Sequence, residues 1–127
     1  MINNKNQLKK ALKENKNNIK IKRIYNLEIT DKIAVGTTAK IEHVQTNAFS
    51  IKYQEYEKAC WVYYENIEVK ENKIIYYTYI PLEKVEQFKN FDLIELSQEE
   101  KTKLNKGNNW NYTYKIPYII NEIIERD

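Results

Sequence analysis

Basic and aromatic side chains are interleaved through the middle of this sequence, and together they could bind a nucleic acid or a nucleotide. Aromatic rings stack on bases, while lysine and arginine neutralise phosphates. The pattern therefore predicts a sheet face that combines both kinds of contact. The residues predicted to form this binding surface are Lys20, Lys22, Arg23, Lys40, Lys52, Tyr53, Tyr63, Tyr77 and Tyr79.

The tyrosines also have a simpler explanation, because tyrosine rings commonly fill the core of a small sheet and keep their hydroxyl groups at its edge. We expect this packing role for at least half of them. The doublets Tyr63–Tyr64 and Tyr76–Tyr77 nevertheless place neighbouring rings on opposite faces of a strand, so some tyrosine must point outward. An outward face rich in tyrosine is also typical of protein-binding surfaces.

Residues that could perform catalysis are scarce. His43 is the sole histidine, so one chain cannot supply a Ser-His-Asp triad or a histidine-rich metal site. His43 continues the apolar alternation of Ile41, which predicts a half-buried sheet histidine. Cys60 has no neighbouring base to activate its thiol, which favours a packing role. We therefore predict no catalytic residue, no metal and no cofactor.

Length and composition predict a single globular domain. The chain has 127 residues, of which 42% are hydrophobic and 31% charged. No apolar run approaches the ~20 residues that cross a bilayer. The first residues lack the apolar segment of a secretory signal, and a lone cysteine cannot form an internal disulfide. These features predict a cytoplasmic protein that does not associate with membranes.

Positive charge is concentrated near the N-terminus. Residues 1–23 carry eight basic side chains against Glu14 alone, which suits a nucleic acid, another anionic ligand or an acidic protein. A solvated helix face with one polar strand face is the simpler explanation. Lys, Ile, Asn and Tyr make up 64 of the 127 residues, and their A/T-rich codons indicate an AT-rich bacterial or viral genome. Lysine and tyrosine counts alone therefore say little about function.

The apolar pattern of the first 80 residues predicts a helix followed by an antiparallel sheet. Leu8, Ala11 and Leu12 form a helical stripe, which places a helix at 4–15. From Ile19 the apolar period becomes two, so the sheet is predicted over 19–80. A hairpin loop at Thr30-Asp31-Lys32 leads to a second strand from Ile33 to about Val44, and further strands make the region a meander.

The remaining part, 81–127, is predicted to mix helices with a strand. Ser97 and Glu100 form a capping box that begins a short helix, and Gly107 ends it. A strand follows, and Pro117 then suits the first turn of a terminal helix with isoleucines along one face. The predicted fold is therefore α+β: an N-terminal helix, a curved antiparallel sheet (a meander or partial small barrel), short helices and a C-terminal helix.

One short motif resembles a known group of proteins. The octet Val44-Gln45-Thr46-Asn47-Ala48-Phe49-Ser50-Ile51 is similar to a strand-turn-strand pattern of small uncharacterised proteins from bacteria and their phages. Trp61 and the helix start at 96–100 also stand where that pattern has a tryptophan and an acidic helix start. A proline-lysine step after the tryptophan is absent here. The resemblance implies a mobile-element setting and no biochemical activity.

Together these observations favour a non-enzymatic binding protein of a phage or mobile element. Its predicted role is to inhibit a host defence component, either an antiviral nuclease complex or a nucleotide signal. The expected partners are a host protein or nucleoprotein complex, with a nucleotide or nucleic acid as the other candidates and a homo-oligomer as a further option. The alternatives are a module that binds single-stranded nucleic acid and a metal-independent ribonuclease using Tyr, Lys and Arg.

Overall fold

The computed structural model describes residues 1–27, 32–107 and 109–125 of the chain. Within these residues the α-helices are α1 (Lys5–Asn15) and α2 (Gln98–Asn105). The strands are β1 (Ile19–Asn26), β2 (Thr38–Val44), β3 (Ala48–Tyr53), β4 (Cys60–Tyr63), β5 (Glu68–Lys70), β6 (Lys73–Pro81), β7 (Ile94–Glu95) and β8 (Tyr112–Glu125). Short 3₁₀ helices span Lys16–Asn18, Tyr64–Asn66 and Leu82–Phe88.

The predicted α+β class is confirmed, with an N-terminal helix and an open antiparallel sheet. The sheet order is β4-β3-β2-β1-β8-β6-β5, and β7 pairs with β8. Strands β1 to β4 form a meander as predicted, but β5 and β6 do not continue it, because they lie beyond β8 toward the opposite edge of the sheet. The last strand, β8, lies beside the first, β1, so the strand order of the whole sheet differs from the order along the chain.

Helix α1 forms where the sequence predicts it. The side chain of Asn4 caps the helix by accepting a hydrogen bond from the Gln7 backbone N–H at 2.8 Å. Leu8 and Leu12 are fully buried and join the apolar residues of the sheet in one core. Because side chains alternate along a strand, β1 to β4 turn one face toward this core and the other away from it.

The predicted C-terminal helix is wrong, because residues 112–125 form the single strand β8. Its second half pairs with β1 from Ile19 opposite Glu125 to Asn26 opposite Ile119. Isoleucine is β-branched and favours extended backbone, and this pairing outweighs the helical spacing of the isoleucines. Pro117, which lacks an N–H group, lies between the residues paired with β7 and those paired with β1.

The second strand also begins later than predicted, at Thr38 and not at Ile33. Residues before it form a turn in which Gly36 has a φ of +95°, a conformation that glycine adopts without steric cost. The Gly36 N–H donates to the Arg23 carbonyl oxygen at 2.6 Å, and the Arg23 N–H donates to the Thr37 carbonyl oxygen at 3.0 Å. Thr30 and Asp31 of the predicted hairpin loop lie outside the described residues.

The chain divides into two compact units. The first unit contains residues 1–76 and 118–127, and the second contains residues 77–117. The core of the first unit combines α1 with the apolar faces of β1 to β4 and with Val69 of β5, Ile74 of β6 and Ile123 of β8. In the second unit the buried apolar residues are Ile80, Leu96 and Ile116. Strands β6 and β8 contribute residues to both units.

Helix α2 of the second unit has the predicted capping box. Ser97 Oγ accepts a hydrogen bond from the Glu100 N–H at 3.2 Å, and Glu100 Oε1 accepts one from the Ser97 N–H at 3.1 Å. The helix ends at Asn105, just before Gly107 with its φ of +70°. Both predicted ends of this helix are thus confirmed.

Candidate nucleic-acid interface

Three lysines form a row across three neighbouring strands of the first unit. In the register of the sheet, Lys20 of β1 lies opposite Lys40 of β2, and Lys40 lies opposite Lys52 of β3. Their chain neighbours Ile21, Ala39 and Ile51 are buried in the core, so alternation places the lysines on the face away from α1. Lys22 lies on the same face, two residues along β1. Four of the predicted site residues therefore lie on one face of the sheet.

This lysine row carries a net positive charge. In the described part of the chain, no carboxylate forms an ion pair with Lys20, Lys40 or Lys52. Like charges directly opposite each other destabilise a sheet, and a bound anion relieves that repulsion. On the neighbouring strand β8, the acidic residue Glu122 lies opposite Lys22. The row is thus suited to binding a polyanion.

An aromatic group lies on the same face, farther along β2 to β4. His43 and Trp61 stack with ring centroids 6.3 Å apart and an angle of 15° between the ring planes. They flank Ser50, which is opposite both residues in the register and whose Oγ accepts a hydrogen bond from the His43 N–H at 3.1 Å. Trp61 is 41% exposed, and Tyr63 is 43% exposed two residues along β4.

A β-bulge explains why His43 belongs to this face. Ile41 lies opposite Ile51, but the next pair joins His43 to Ser50, so Glu42 is an extra residue in β2. Without the bulge His43 would share the inward face of Ile41, as predicted. The prediction of a half-buried histidine is therefore wrong, and the side chain is exposed.

Trp61 was not among the predicted site residues. The signal was available in β4, because the inward position of Val62 implies that Trp61 and Tyr63 both point outward. The doublet argument is confirmed here, since Tyr63 is exposed and Tyr64 is buried. Together, Lys20, Lys22, Lys40, Lys52, His43, Trp61 and Tyr63 are called the basic–aromatic face below.

Arg23 and Tyr53, two of the predicted site residues, lie in the core. Tyr53 is 1% exposed and Arg23 6% exposed. The Arg23 Nη2 donates to the Tyr53 hydroxyl at 3.4 Å, and the guanidinium carbon lies 5.3 Å from the centroid of the Tyr53 ring. Burial, with the nearby Tyr53, raises the pKa of Tyr76 beside them. A ligand on the protein surface cannot stack on Tyr53 at this position.

The last two predicted site residues, Tyr77 and Tyr79, belong to the second unit. Lys115 Nζ lies 4.4 Å from the centroid of the Tyr77 ring. Tyr79 meets Tyr112 edge to face, with ring centroids 6.3 Å apart. Both rings of that pair line a shallow depression that also includes Trp110.

Among the described residues, no group of three or more His, Cys, Asp or Glu side chains is arranged to hold a metal ion. None of the described helices has the length and apolar character needed to span a membrane. Comparison with models of known protein families, with curated proteins and with solved structures finds no match to this chain.

Proposed function

We propose that the protein acts by binding, and that its ligand is single-stranded nucleic acid held on the basic–aromatic face. The observation that carries this proposal is the row of Lys20, Lys40 and Lys52 on the same sheet face as the exposed Trp61 and Tyr63 rings. Lysines follow the phosphate backbone, and the rings stack on bases.

The arrangement favours a single strand over a duplex. Bases in a duplex are stacked on one another, so a ring on a protein surface can reach them only where they are unpaired. Trp61 and Tyr63 stand on a sheet face and not on a helix or ribbon that could enter a groove. Sequence preference is expected to be weak, because every base has a surface on which an aromatic ring can stack.

The mobile-element setting remains a proposal that rests on the octet at 44–51. The inhibition of a host defence component is a proposal that rests on this setting, on the small size of the chain, on the lack of recognisable catalytic residues in the sequence and on its outward tyrosines. A host nucleoprotein complex fits the same chemistry, because its RNA would supply phosphates and unpaired bases to the basic–aromatic face. Binding to a purely protein surface would use the rings and would not require the lysine row.

Fluorescence anisotropy with a labelled oligothymidylate of about twelve nucleotides tests the proposal. Trp61→Ala should weaken binding by about 1–3 kcal/mol, since one stacked base is lost. The matched control is Trp110→Ala, which removes a similarly exposed tryptophan of the second unit and should leave the affinity unchanged. Equal losses in the two variants would overturn the assignment of this face.

A second pair of variants tests the lysines. Lys40→Gln combined with Lys52→Gln removes a cross-strand pair from the basic–aromatic face and should weaken binding. Lys70→Gln combined with Lys73→Gln removes an equally exposed cross-strand pair between β5 and β6 and should have little effect. Incubating the protein with single-stranded RNA tests the ribonuclease alternative, and we expect the RNA to remain intact.

A further inference from the structure

A second basic site lies at the other side of the first unit, where α1 approaches the hairpin between β2 and β3. A depression of about 400 Å³ is lined there by Lys9, Lys13, Val44, Gln45, Thr46 and Tyr64. This volume lies within the range of small-molecule sites. The hairpin residues are the Val-Gln-Thr part of the octet that the sequence singles out, and the basic–aromatic face does not use them.

Two lysines supply positive charge to this depression. Lys9 and Lys13 are four residues apart on α1 and therefore lie on one side of the helix. Lys9 Nζ is 4.8 Å from the centroid of the Tyr64 ring, which holds the ammonium group against the hairpin side. In the described part of the chain neither lysine has an ion-pair partner. Glu14 lines the adjoining depression together with Lys13.

The hydroxyl group of Tyr64 provides an independent indication of a ligand. Tyr64 is 4% exposed, and its hydroxyl has no hydrogen-bond partner among the described residues. Buried polar groups normally find a partner, and one without a partner costs stability. Burial raises the pKa of Tyr64, so the phenol keeps its proton at neutral pH and can donate it to an acceptor.

The hairpin contributes further donors. The Gln45 N–H donates to the Ala48 carbonyl oxygen at 2.8 Å, and the Tyr64 N–H donates to the Asn47 carbonyl oxygen at 3.2 Å. These bonds fix the turn beside Tyr64. The side chains of Gln45 and Thr46 are exposed and can donate an amide N–H and a hydroxyl to a ligand in the depression.

We propose that this depression binds a phosphate monoester. Such a group carries about two negative charges at neutral pH and three strong acceptor oxygens. Lys9 and Lys13 neutralise the charge, while Gln45 and Thr46 donate to the remaining oxygen lone pairs. The Tyr64 hydroxyl has almost no accessible surface in the protein without ligand, so it joins these donors when the Lys9 side chain moves from the Tyr64 ring to the phosphate. A carboxylate has one charge and two oxygens, and it would leave part of this donor set unused. The proposal is independent of the basic–aromatic face.

The test is an NMR titration of the full chain with inorganic phosphate, against sodium chloride at equal ionic strength. The Gln45 and Thr46 amide signals should shift saturably with phosphate only. Lys9→Gln combined with Lys13→Gln should weaken this binding about tenfold or more. Lys5→Gln combined with Lys10→Gln removes the same charge from the same helix outside the lining residues and should change the affinity by less than about twofold.

Tyr64→Phe completes the set, because it removes the hydroxyl and keeps the buried ring. It should weaken phosphate binding several-fold while the spectrum remains that of a folded protein. Shifts that are equal in chloride, or equal weakening by both double lysine variants, would overturn the proposal.

The source of the phosphate is identified by comparing oligothymidylates with a 5′-phosphate and with a 5′-hydroxyl end. Tighter binding of the phosphorylated strand, lost in the Lys9 and Lys13 double variant, assigns the site to a strand end. Equal binding of the two strands, with the phosphate shifts present, assigns it to a free phosphomonoester. If neither oligonucleotide binds, the proposed function fails while the phosphate titration still decides this inference.

Discussion

Tyr53 and Tyr64 are both buried in the first unit, but their hydroxyl groups have different surroundings. The Tyr53 hydroxyl accepts a hydrogen bond from Arg23, whereas the Tyr64 hydroxyl has no partner among the described residues. Tyr64→Phe should therefore raise the free energy of unfolding by about 1 kcal/mol, and Tyr53→Phe should lower it by a similar amount. Urea denaturation of the two variants and the wild type measures both changes.

The opposite signs make this residue-scale prediction easy to contradict. A loss of stability in Tyr64→Phe would mean that the hydroxyl makes a favourable contact in the protein without ligand. The Phe49 ring, whose centroid lies 5.6 Å from that of Tyr64, should keep its contact in the variant, because only the hydroxyl is removed.

The positions of some residues of the candidate site could be predicted from the sequence, and those of others could not. Lys20, Lys40 and Lys52 follow from the alternation of their own strands, and alternation also implies an outward Trp61. The position of His43 does not follow from alternation along β2. The bulge at Glu42 moves His43 to the outer face, and this bulge forms only when β2 is paired with β3. Arg23 is buried although it is charged, and its position depends on tertiary contacts such as the Tyr53 ring.

At the scale of elements, α2 depends on its cap. None of its residues is buried, so packing adds little, and the capping box with Ser97 and Glu100 carries much of its stability. Burial alone would raise the pKa of Glu100, but hydrogen bonds from Lys115 and Ser97 and the charge of Lys115 outweigh it, so the pKa lies below its ordinary value of 4.5. The Lys115 Nζ is 2.9 Å from Glu100 Oε2.

This lowered pKa gives a pH prediction. A carboxyl group with a depressed pKa stabilises the folded state above its ordinary pKa, and that contribution is lost as the pH falls through the folded value. The backbone chemical shifts of α2 should therefore move toward coil values as the pH falls below the ordinary carboxyl pKa of 4.5. Glu100→Gln should remove most of this pH dependence, and Glu99→Gln should retain it. Ser97→Ala should destabilise the helix by about 1 kcal/mol at neutral pH.

The sequence predicted a helix where the structure has strand β8. The helix and the strand predict different effects of mutations. In a terminal helix Ile120, Ile123 and Ile124 would share one buried face. In the strand Ile123 is 2% exposed and Ile124 is on the other face and only partly buried. Ile123→Ala should cost about 2–5 kcal/mol of unfolding free energy, and Ile124→Ala clearly less. Equal costs in urea denaturation would contradict the strand.

The prediction of α2 was confirmed and the prediction of a C-terminal helix was wrong for the same physical reason. A capping box is satisfied by residues three positions apart, so its information is local. The conformation of residues 119–125 is set by pairing with β1, about a hundred residues earlier in the chain. Local spacing alone therefore favoured a helix that the pairing with β1 replaces.

At the scale of the whole molecule, the same distinction applies to strand order. The meander of β1 to β4 follows from short connections, since consecutive strands usually pair. The insertion of β8 between β1 and β6 requires the chain to return after residues 77–117, and no local pattern encodes that return. The class of the fold was therefore predictable, whereas the order of its last strands was not.

The formal charge of +3 describes the whole molecule, but the proposed binding depends on where the lysines stand. For single strands the logarithm of the binding constant falls with the logarithm of salt concentration by about 0.7 per neutralised phosphate. Lys20, Lys22, Lys40 and Lys52 together predict a slope of about −3 for oligothymidylate. Anisotropy titrations between about 50 and about 200 mM salt measure this slope.

Substitutions should separate the electrostatic part of binding from the stacking part. Lys40→Gln with Lys52→Gln should make the slope shallower by about 1.4, because two phosphate contacts are lost. Trp61→Ala should weaken binding at every salt concentration and leave the slope unchanged, since stacking releases no counterions. The Lys70 and Lys73 double variant should keep the wild-type slope. If that variant and the Lys40 and Lys52 variant changed the slope equally, the total charge of the protein would control binding, and no particular face could be assigned to it.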